Sequence, residues 1–308
     1  MHMQAESRRR DIPTFKEWAM LWMETYKKPN VNPRTYKLLR GALQHHVYPY
    51  IGSMYLDEIK QIDIQRIINS LSEFSKSYIQ KTYLLIKGIF ESAYDNSYVD
   101  RLPTNRIILP KGYSNTHRAL TKEERVFFLQ ACEQCGKAGL WGKVMYYCGL
   151  RPDEVSKIQG RDIDRVNHIL HVRGTKTEKS DRYVPIPDKL VLPDLEDDEY
   201  LIVTRDGNPI TKSVRKRYWD VIVRRMNILM GCKVNPKGKV LPPYRVAQDL
   251  VPYCLRHNYA TICQESGIDI GVAAKLLGHT TTTITLRVYT HNNMQSIMNA
   301  NINLSNYF

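Results

Sequence analysis

The sequence lacks any apolar run of the roughly 18–20 residues that a membrane-spanning helix requires. It also lacks the pattern of a secretory signal peptide, because the segment from Met1 to Arg10 is polar and basic. We therefore expect a cytoplasmic protein that does not engage a membrane and that, in a bacterium, lies beside the nucleoid. Residues 1–12 are expected to form a flexible N-terminal segment.

Cysteines are few, and only Cys132 and Cys135 have the C-x-x-C spacing of metal ligands. No second pair is present to complete a zinc site, and cytosolic thiols stay reduced. We therefore expect buried thiols, no disulfide and no metal ligands. The six cysteines are Cys132, Cys135, Cys148, Cys232, Cys254 and Cys263.

Acidic residues are too few to balance the basic ones. Asp and Glu number 31 against 45 Lys and Arg, which leaves a formal net charge of +14 and a pI of about 9.4. This excess favours a polyanionic partner, most simply a nucleic acid. A protein that inherited a basic composition without binding a polyanion would show the same charge. Composition alone therefore leaves these two interpretations evenly balanced.

The chain of 308 residues is long enough for two domains, each with its own core. Apolar residues recur at helical spacing in four stretches between 14 and 94, with no strand pattern among them. The pattern predicts a four-helix domain at 13–100. Proline, glycine and basic residues then predict a linker at 101–118.

The remainder, 119–308, predicts a second, α+β domain. A capping box at Thr121–Glu124 begins its first helix, and Pro152 is expected to begin another that ends before Gly160. The apolar period then shortens around Ile163, 169–172 and 183–186, which predicts a small antiparallel three-stranded sheet. Helical periodicity returns after 211, so the fold class is mainly α with two domains.

Several residues could together break and rejoin a phosphodiester. The transition state gains negative charge, which arginine meets with two planar donors, while a lysine can donate a proton to the leaving oxygen. A tyrosine hydroxyl can attack if neighbouring cations favour its ionised form. Taken singly, these residues have ordinary explanations: an ion pair at a helix start, a solvated lysine, packed histidines and a packed aromatic. The candidates are Arg151, Glu154, Lys176, Arg256, His257, His279 and Tyr289.

Five motifs in this order resemble those of the tyrosine recombinases, also called the phage integrase family. They are Gly-Leu-Arg-x-x-Glu at 149–154, a hairpin lysine at 176, Leu-Arg-His at 255–257, Leu-Leu-Gly-His at 276–279 and Tyr-Thr-His at 289–291. The resemblance covers nearly the whole chain. It implies a core-binding, SAM-like helical domain, a linker, and a catalytic domain with a C-terminal tail.

The resemblance also implies a role for each matching residue. Arg151 and Arg256 would clamp the scissile phosphate, and His279 would hydrogen-bond it or assist the nucleophile. Lys176 would donate a proton to the leaving 5′ oxygen. Tyr289 would attack, giving a 3′-phosphotyrosine and a free 5′ hydroxyl.

One position departs from the family, which usually has histidine three residues before the second arginine. This chain has Tyr253 there, and its hydroxyl can still donate to a phosphate oxygen without imidazole acid–base chemistry. We keep Tyr253 in the predicted catalytic set, with Glu154 and His257 as supporting residues. Of the two hairpin lysines, the family pattern favours Lys176 over Lys179.

The resemblance implies a site-specific DNA recombinase that needs no metal, nucleotide or other cofactor. It would act as a homotetramer on double-stranded DNA through the C-terminal tail, pass through a Holliday junction, and use accessory DNA-bending or directionality factors. Roughly half of the basic residues proposed to contact DNA are expected to be only a solvated face. These candidates are Arg215, Lys216, Arg217, Lys233, Lys237 and Lys239.

We expect integration or excision of a mobile element. The alternatives are a Xer-like dimer resolvase, a type IB topoisomerase of the same chemistry, and a DNA-binding protein that has lost catalysis. The compact size and the tail favour recombination over relaxation. The full set of candidate residues argues against a loss of catalysis.

Overall fold

The chain divides into two compact units, and the second unit begins at His117. The computed structural model describes residues 12–113, 117–174 and 181–279. Each unit has its own cluster of buried apolar side chains. Lys176 and Tyr289, the predicted proton donor and nucleophile, lie outside the described residues.

Among its described residues, the first unit contains helices and isolated β-bridges but no strand. Its helices are α1 (Phe15–Trp22), α2 (Pro33–Ala42), α3 (Tyr48–Ile51), α4 (Gln61–Asn69) and α5 (Lys76–Asp95). A π-helical turn follows α1 at Met23–Lys27, and another at Leu43–Val47 joins α2 to α3. Helix α2, this turn and α3 together cover the stretch that was predicted as one regular helix.

Aromatic side chains of α1 and α5 pack among aliphatic ones in the core of this unit. Phe15 and Phe90 lie with ring centroids 5.5 Å apart, and both are fully buried. Trp18 donates its indole N–H to the Ile89 carbonyl at 3.1 Å, which satisfies its one polar atom away from water.

The predicted linker contacts the first unit over its described first half. Gln65 on α4 both donates to the Ile108 carbonyl at 2.7 Å and accepts from the Ile108 N–H at 2.9 Å. Tyr83 on α5 donates to the Thr104 carbonyl at 3.1 Å. These bonds hold the chain against α4 and α5 after it leaves the last helix.

The second unit combines helices with a small sheet. Its helices are α6 (Lys122–Glu133), α7 (Gly136–Cys148), α8 (Lys212–Leu229), α9 (Pro252–Glu265) and α10 (Ile270–Leu277). Strands β1 (Ile163–Asp164), β2 (Ile169–Val172) and β3 (Arg182–Pro185) pair antiparallel in that order. The predicted fold class, mainly α with a three-stranded antiparallel sheet, is confirmed.

The prediction of a helix from Pro152 to just before Gly160 is wrong, because the helical part of this stretch is much shorter. Only a 3₁₀ turn forms, at Val155–Lys157. The chain becomes extended at Ile158, because the Ile158 carbonyl accepts the Leu201 N–H at 2.8 Å. Early termination leaves Glu154 at the start of a tight turn, with its side chain directed into the protein interior.

Helix α7 passes through the middle of the second core. Trp141, at its centre, is fully buried and donates to the Pro152 carbonyl at 3.2 Å. Burial of a large aromatic side chain stabilises the fold by about 2–3 kcal/mol.

Within the described ranges, no helix is both long and apolar enough to span a bilayer.

Gly149 ends α7 in the left-handed region, with φ of 64°. A Cβ there would lie 2.4 Å from Cδ1 of the buried Tyr259 on α9. Gly207 also has positive φ, at 75°, but a Cβ there would meet nothing within 4 Å.

We predict that Gly149→Ala lowers the free energy of unfolding by about 3 kcal/mol and Gly207→Ala by about 1 kcal/mol. Both variants carry the backbone strain, and only the first adds the clash with Tyr259. Urea denaturation followed by near-ultraviolet circular dichroism measures both losses. Equal losses would show that the contact with Tyr259 does not constrain the end of α7.

Candidate active site

The turn after α7 presents the first arginine. Gly149 donates its N–H to the Met145 carbonyl at 3.0 Å, and Leu150 is fully buried behind the turn. Arg151 follows with its side chain 28 % exposed. A left-handed glycine and a buried leucine therefore fix the backbone from which this guanidinium projects.

Glu154 holds that guanidinium with a buried carboxylate. Its Oε1 accepts from Arg151 Nη1 at 2.6 Å, and its Oε2 accepts from the Arg151 backbone N–H at 2.8 Å. Burial disfavours ionisation of Glu154, but hydrogen bonds and charge from Arg182 and Arg151 outweigh it and lower the pKa to about 2. The carboxylate is thus charged at neutral pH and keeps Arg151 in place.

Arg182 is a third arginine of the site, which the sequence analysis missed. It donates to both Glu154 oxygens, at 2.8 and 3.2 Å, and through Nε to the Leu276 carbonyl at 2.7 Å. Strand alternation could have indicated it, because Arg182 shares the inward face of β3 with buried Val184.

Arg256 enters the site from the first half of α9 and is almost fully buried. It donates from Nη1 to the Gly149 carbonyl at 2.8 Å and from Nη2 to the Leu277 carbonyl. Burial, and then the like charge of Arg151, lower its pKa to about 9. The guanidinium remains charged at neutral pH, and its hydrogen-bond partners are backbone carbonyls rather than carboxylates.

His279 lies just beyond α10, where Gly278 turns the chain with φ of 60°. Burial and the positive charges of Arg256, Arg151 and Arg182 lower its pKa to about 4. The imidazole is therefore neutral at pH 7 and can offer one N–H donor.

Five predicted residues line one cavity of about 240 Å³. Arg151 Nη2 also donates to the Gly278 carbonyl at 3.3 Å, which links the first arginine to the end of α10. The site holds three guanidiniums and one carboxylate, so it carries excess positive charge suited to an anion. The five residues are Arg151, Tyr253, Arg256, His257 and His279.

Tyr253 and His257 form the outer side of this cavity. Tyr253 lies in the first turn of α9 and is 41 % exposed. Burial, the neighbouring His117 and the charge of Arg256 lower the pKa of His257. The structure thus gives His257 a neutral imidazole beside the arginines.

The basic residues proposed to contact DNA have different surroundings. Arg215 is half-buried and donates to Ser156 Oγ at 2.9 Å, at the edge of a second cavity that Glu154 also lines. Lys216 and Arg217 are exposed on α8, and Lys216 pairs with Asp220 at 2.9 Å. The other three, Lys233, Lys237 and Lys239, are exposed on a loop.

The C-x-x-C pair has no metal-binding neighbours in the part of the chain that the structure describes. Cys132 is buried, and burial raises the pKa of its thiol well above the usual range. No group of three or more His, Cys, Asp or Glu side chains that could hold a metal is found among the described residues.

Two family models match the chain. The model described as the phage integrase family matches residues 118–296, and that described as the phage integrase N-terminal SAM-like domain matches residues 14–72. Curated relatives include the tyrosine recombinase XerA of Pyrococcus furiosus, 29% identical over 285 residues, covering 87% of this chain and 92% of the relative. The tyrosine recombinase XerC of Staphylococcus epidermidis is 24% identical over 273 residues, covering 82% and 79%.

Solved structures share the fold. The Tn1549 transposon integrase in complex with transposon right end DNA superimposes with a TM-score of 0.72 at 17% identity, covering 95% of this chain and 100% of that one. A lambda integrase tetramer bound to a Holliday junction gives 0.68 at 16% identity, covering 95% and 83%.

We predict that Glu154→Gln removes a pH-dependent contribution to stability. The folded pKa of about 2 lies below the ordinary glutamate value of 4.5, so the unfolded state binds the proton first as the pH falls. The contribution, on the order of 3 kcal/mol, is therefore complete above pH 4.5 and is lost toward about pH 2. Unfolding free energies of the variant should fall less steeply than those of wild type over this window.

Glu133→Gln is the matched control, because Glu133 is exposed and pairs with Lys143 at the surface. It should reproduce the wild-type pH dependence. An unchanged slope for Glu154→Gln would contradict the assignment of Glu154 as the ionised partner of the two arginines.

Proposed function

The chain belongs to the phage integrase family of DNA-cleaving and rejoining enzymes, and we propose that this member integrates or excises a mobile element by site-specific recombination. The observation that carries the proposal is the cavity in which Arg151, Arg256 and His279 meet with excess positive charge. A tetrahedral phosphodiester brings the negative charge that this cavity lacks. Action on DNA would place the protein with the nucleoid, in the cytoplasm.

In the proposed reaction, Tyr289 loses its phenolic proton to solvent, and the resulting oxygen anion attacks the scissile phosphorus. The bond from phosphorus to the 5′ oxygen breaks, and Lys176 gives its proton to that oxygen. A 3′-phosphotyrosine and a 5′ hydroxyl result, and attack by the 5′ hydroxyl of another strand reverses the step. The phosphotyrosine conserves the bond energy, so no nucleotide is consumed.

Within the cavity, the residues divide the work of stabilising the transition state. Arg151 and Arg256 would bind the non-bridging oxygens, which gain charge as the fifth bond forms. His279, neutral at pH 7, would donate one N–H to the phosphate. Glu154 would act indirectly by fixing the guanidinium of Arg151.

Assembly would bring four such sites together. We propose that the C-terminal tail docks on a neighbouring protomer, that the homotetramer acts through a Holliday junction, and that DNA-bending or directionality factors assist it. The lambda integrase tetramer on a Holliday junction supports this, since its fold is shared.

A Xer-like dimer resolvase is the second candidate, because the curated relatives include XerC and XerA recombinases. The two roles differ in the DNA that is cleaved. Sequencing of the DNA bound covalently to the protein, after reaction with genomic DNA of the source organism, distinguishes them. Cleavage at the ends of a mobile element supports integration, whereas cleavage at a single chromosomal site for dimer resolution contradicts it.

We predict that the wild-type protein forms a covalent adduct with genomic DNA of the source organism and that Tyr289→Phe forms none. The adduct should survive denaturing electrophoresis. Phenylalanine has no hydroxyl to join to phosphorus. Arg256→Lys should bind DNA yet form adduct about 100-fold more slowly, because a point charge cannot replace two directed donors. Tight binding by wild type without any adduct would refute the enzymatic function, and an adduct in Tyr289→Phe would refute the nucleophile.

We also predict that exposed basic residues of α8 and the following loop contribute phosphate contacts. Arg217→Ala and Lys237→Ala should each reduce the slope of log affinity against log salt concentration by about 0.9. Lys189→Ala is the control, since Lys189 is exposed in an acidic segment outside the candidate set. Equal slopes for all three variants and wild type would assign the two candidates to a solvated face.

A further inference from the structure

His117, the first residue of the second unit, lies against the outer side of the candidate active site. Its ring is nearly parallel to that of Tyr253, with centroids 5.5 Å apart and an interplanar angle of 20°. The His257 ring is tilted at 60° with its centroid at 6.0 Å. Both partners line the cavity that contains Arg151 and Arg256.

The stacked contact matters because little else restrains Tyr253. Its side chain is 41 % exposed at the start of α9, and within the described ranges its hydroxyl makes no hydrogen bond to the protein. An exposed tyrosine can occupy several rotamers, most of which would carry the hydroxyl away from the cavity. A second ring in offset-stacked contact favours one of them.

The backbone next to His117 is fixed by Arg118. That guanidinium donates to both oxygens of Glu124, at 2.6 and 2.7 Å, and to both oxygens of Asp249, at 2.9 and 3.1 Å. Glu124 belongs to α6, and Asp249 lies just before α9. Arg118 therefore joins its own segment to the chain that leads into Tyr253, which places the two stacked rings at a defined separation.

We propose that His117 is a positioning residue whose ring holds the Tyr253 hydroxyl over the phosphate-binding cavity. The inference rests on the proposed function and extends it to a residue outside all the motifs of the sequence analysis. His117 would act on Tyr253 through the face of its ring, because the two rings are stacked. A different aromatic ring at this position should therefore serve equally well.

The test measures the rate of covalent adduct formation at saturating protein, together with DNA affinity at the same salt concentration. His117→Ala should slow adduct formation about three- to tenfold, the range expected from loss of one aromatic pair, and change affinity less than about twofold. His117→Phe should restore the rate to within about twofold of wild type. Glu133→Gln, an exposed substitution at the C-terminal end of α6, is the control and should leave the rate and the affinity unchanged.

A double variant distinguishes the positioning of Tyr253 by His117 from a general effect of His117→Ala on folding. In Tyr253→Phe the ring remains but the hydroxyl is gone, so adding His117→Ala should slow the reaction no further. A full three- to tenfold loss in this background, or failure of His117→Phe to restore the rate, would overturn the proposal.

The contact between the His117 and Tyr253 rings can also be tested by NMR spectroscopy, without measuring catalysis. In protein labelled with ¹³C-histidine, the His117 ring signal, assigned by its loss in His117→Phe, should move in Tyr253→Ala because the tyrosine ring current is removed. An unmoved signal would overturn the proposal. Absence of adduct in wild type, with the signal moving as expected, would instead refute the proposed function and leave the contact established.

Discussion

The candidate site depends on one buried carboxylate. Glu154 accepts hydrogen bonds from Arg151 and Arg182, and these two arginines in turn donate to the Gly278 and Leu276 carbonyls at the end of α10. Removing one member of a buried ion pair leaves the other charge uncompensated, at a typical cost of about 3–5 kcal/mol. The carboxylate thus connects the turn after α7, strand β3 and the end of α10, and the cavity is lined by the turn after α7, by α9 and by the end of α10.

This single carboxylate does not balance the positive charge of the arginines in the site. Glu154 can balance only one of the guanidiniums near it, and burial together with the remaining positive charge lowers the pKa values of Arg256 and His279. Arg256 meets only backbone carbonyls in its described contacts. A bound phosphodiester would relieve this imbalance, and the charge would be worth more there than in water because the surroundings are largely buried.

The sequence predicted those features that depend on local pattern and on motif order. Helical spacing, the capping box at Thr121 and the alternation around 169–172 gave the elements, since each depends on residues close together in the chain. The helix after Pro152 was wrong because a distant pairing with Leu201 ends it. Arg182 and His117 were missed for a similar reason: their importance comes from Glu154 and Tyr253, each more than twenty residues away.

The protonation states of the site also constrain where the leaving oxygen can find its proton. His279 has a pKa of about 4, and the pKa of His257 is lowered as well, so neither imidazole holds a spare proton at neutral pH. Bound phosphate would raise both values, but Arg151 and Arg256 would still oppose a further positive charge beside them. The guanidiniums are needed as charged donors to the phosphate and would lose that function by giving up a proton. The histidines and arginines of the cavity are therefore poorly suited to give this proton, and an ammonium with an adjustable pKa would meet the need. This argument favours Lys176 on chemical grounds that do not depend on its position in a motif.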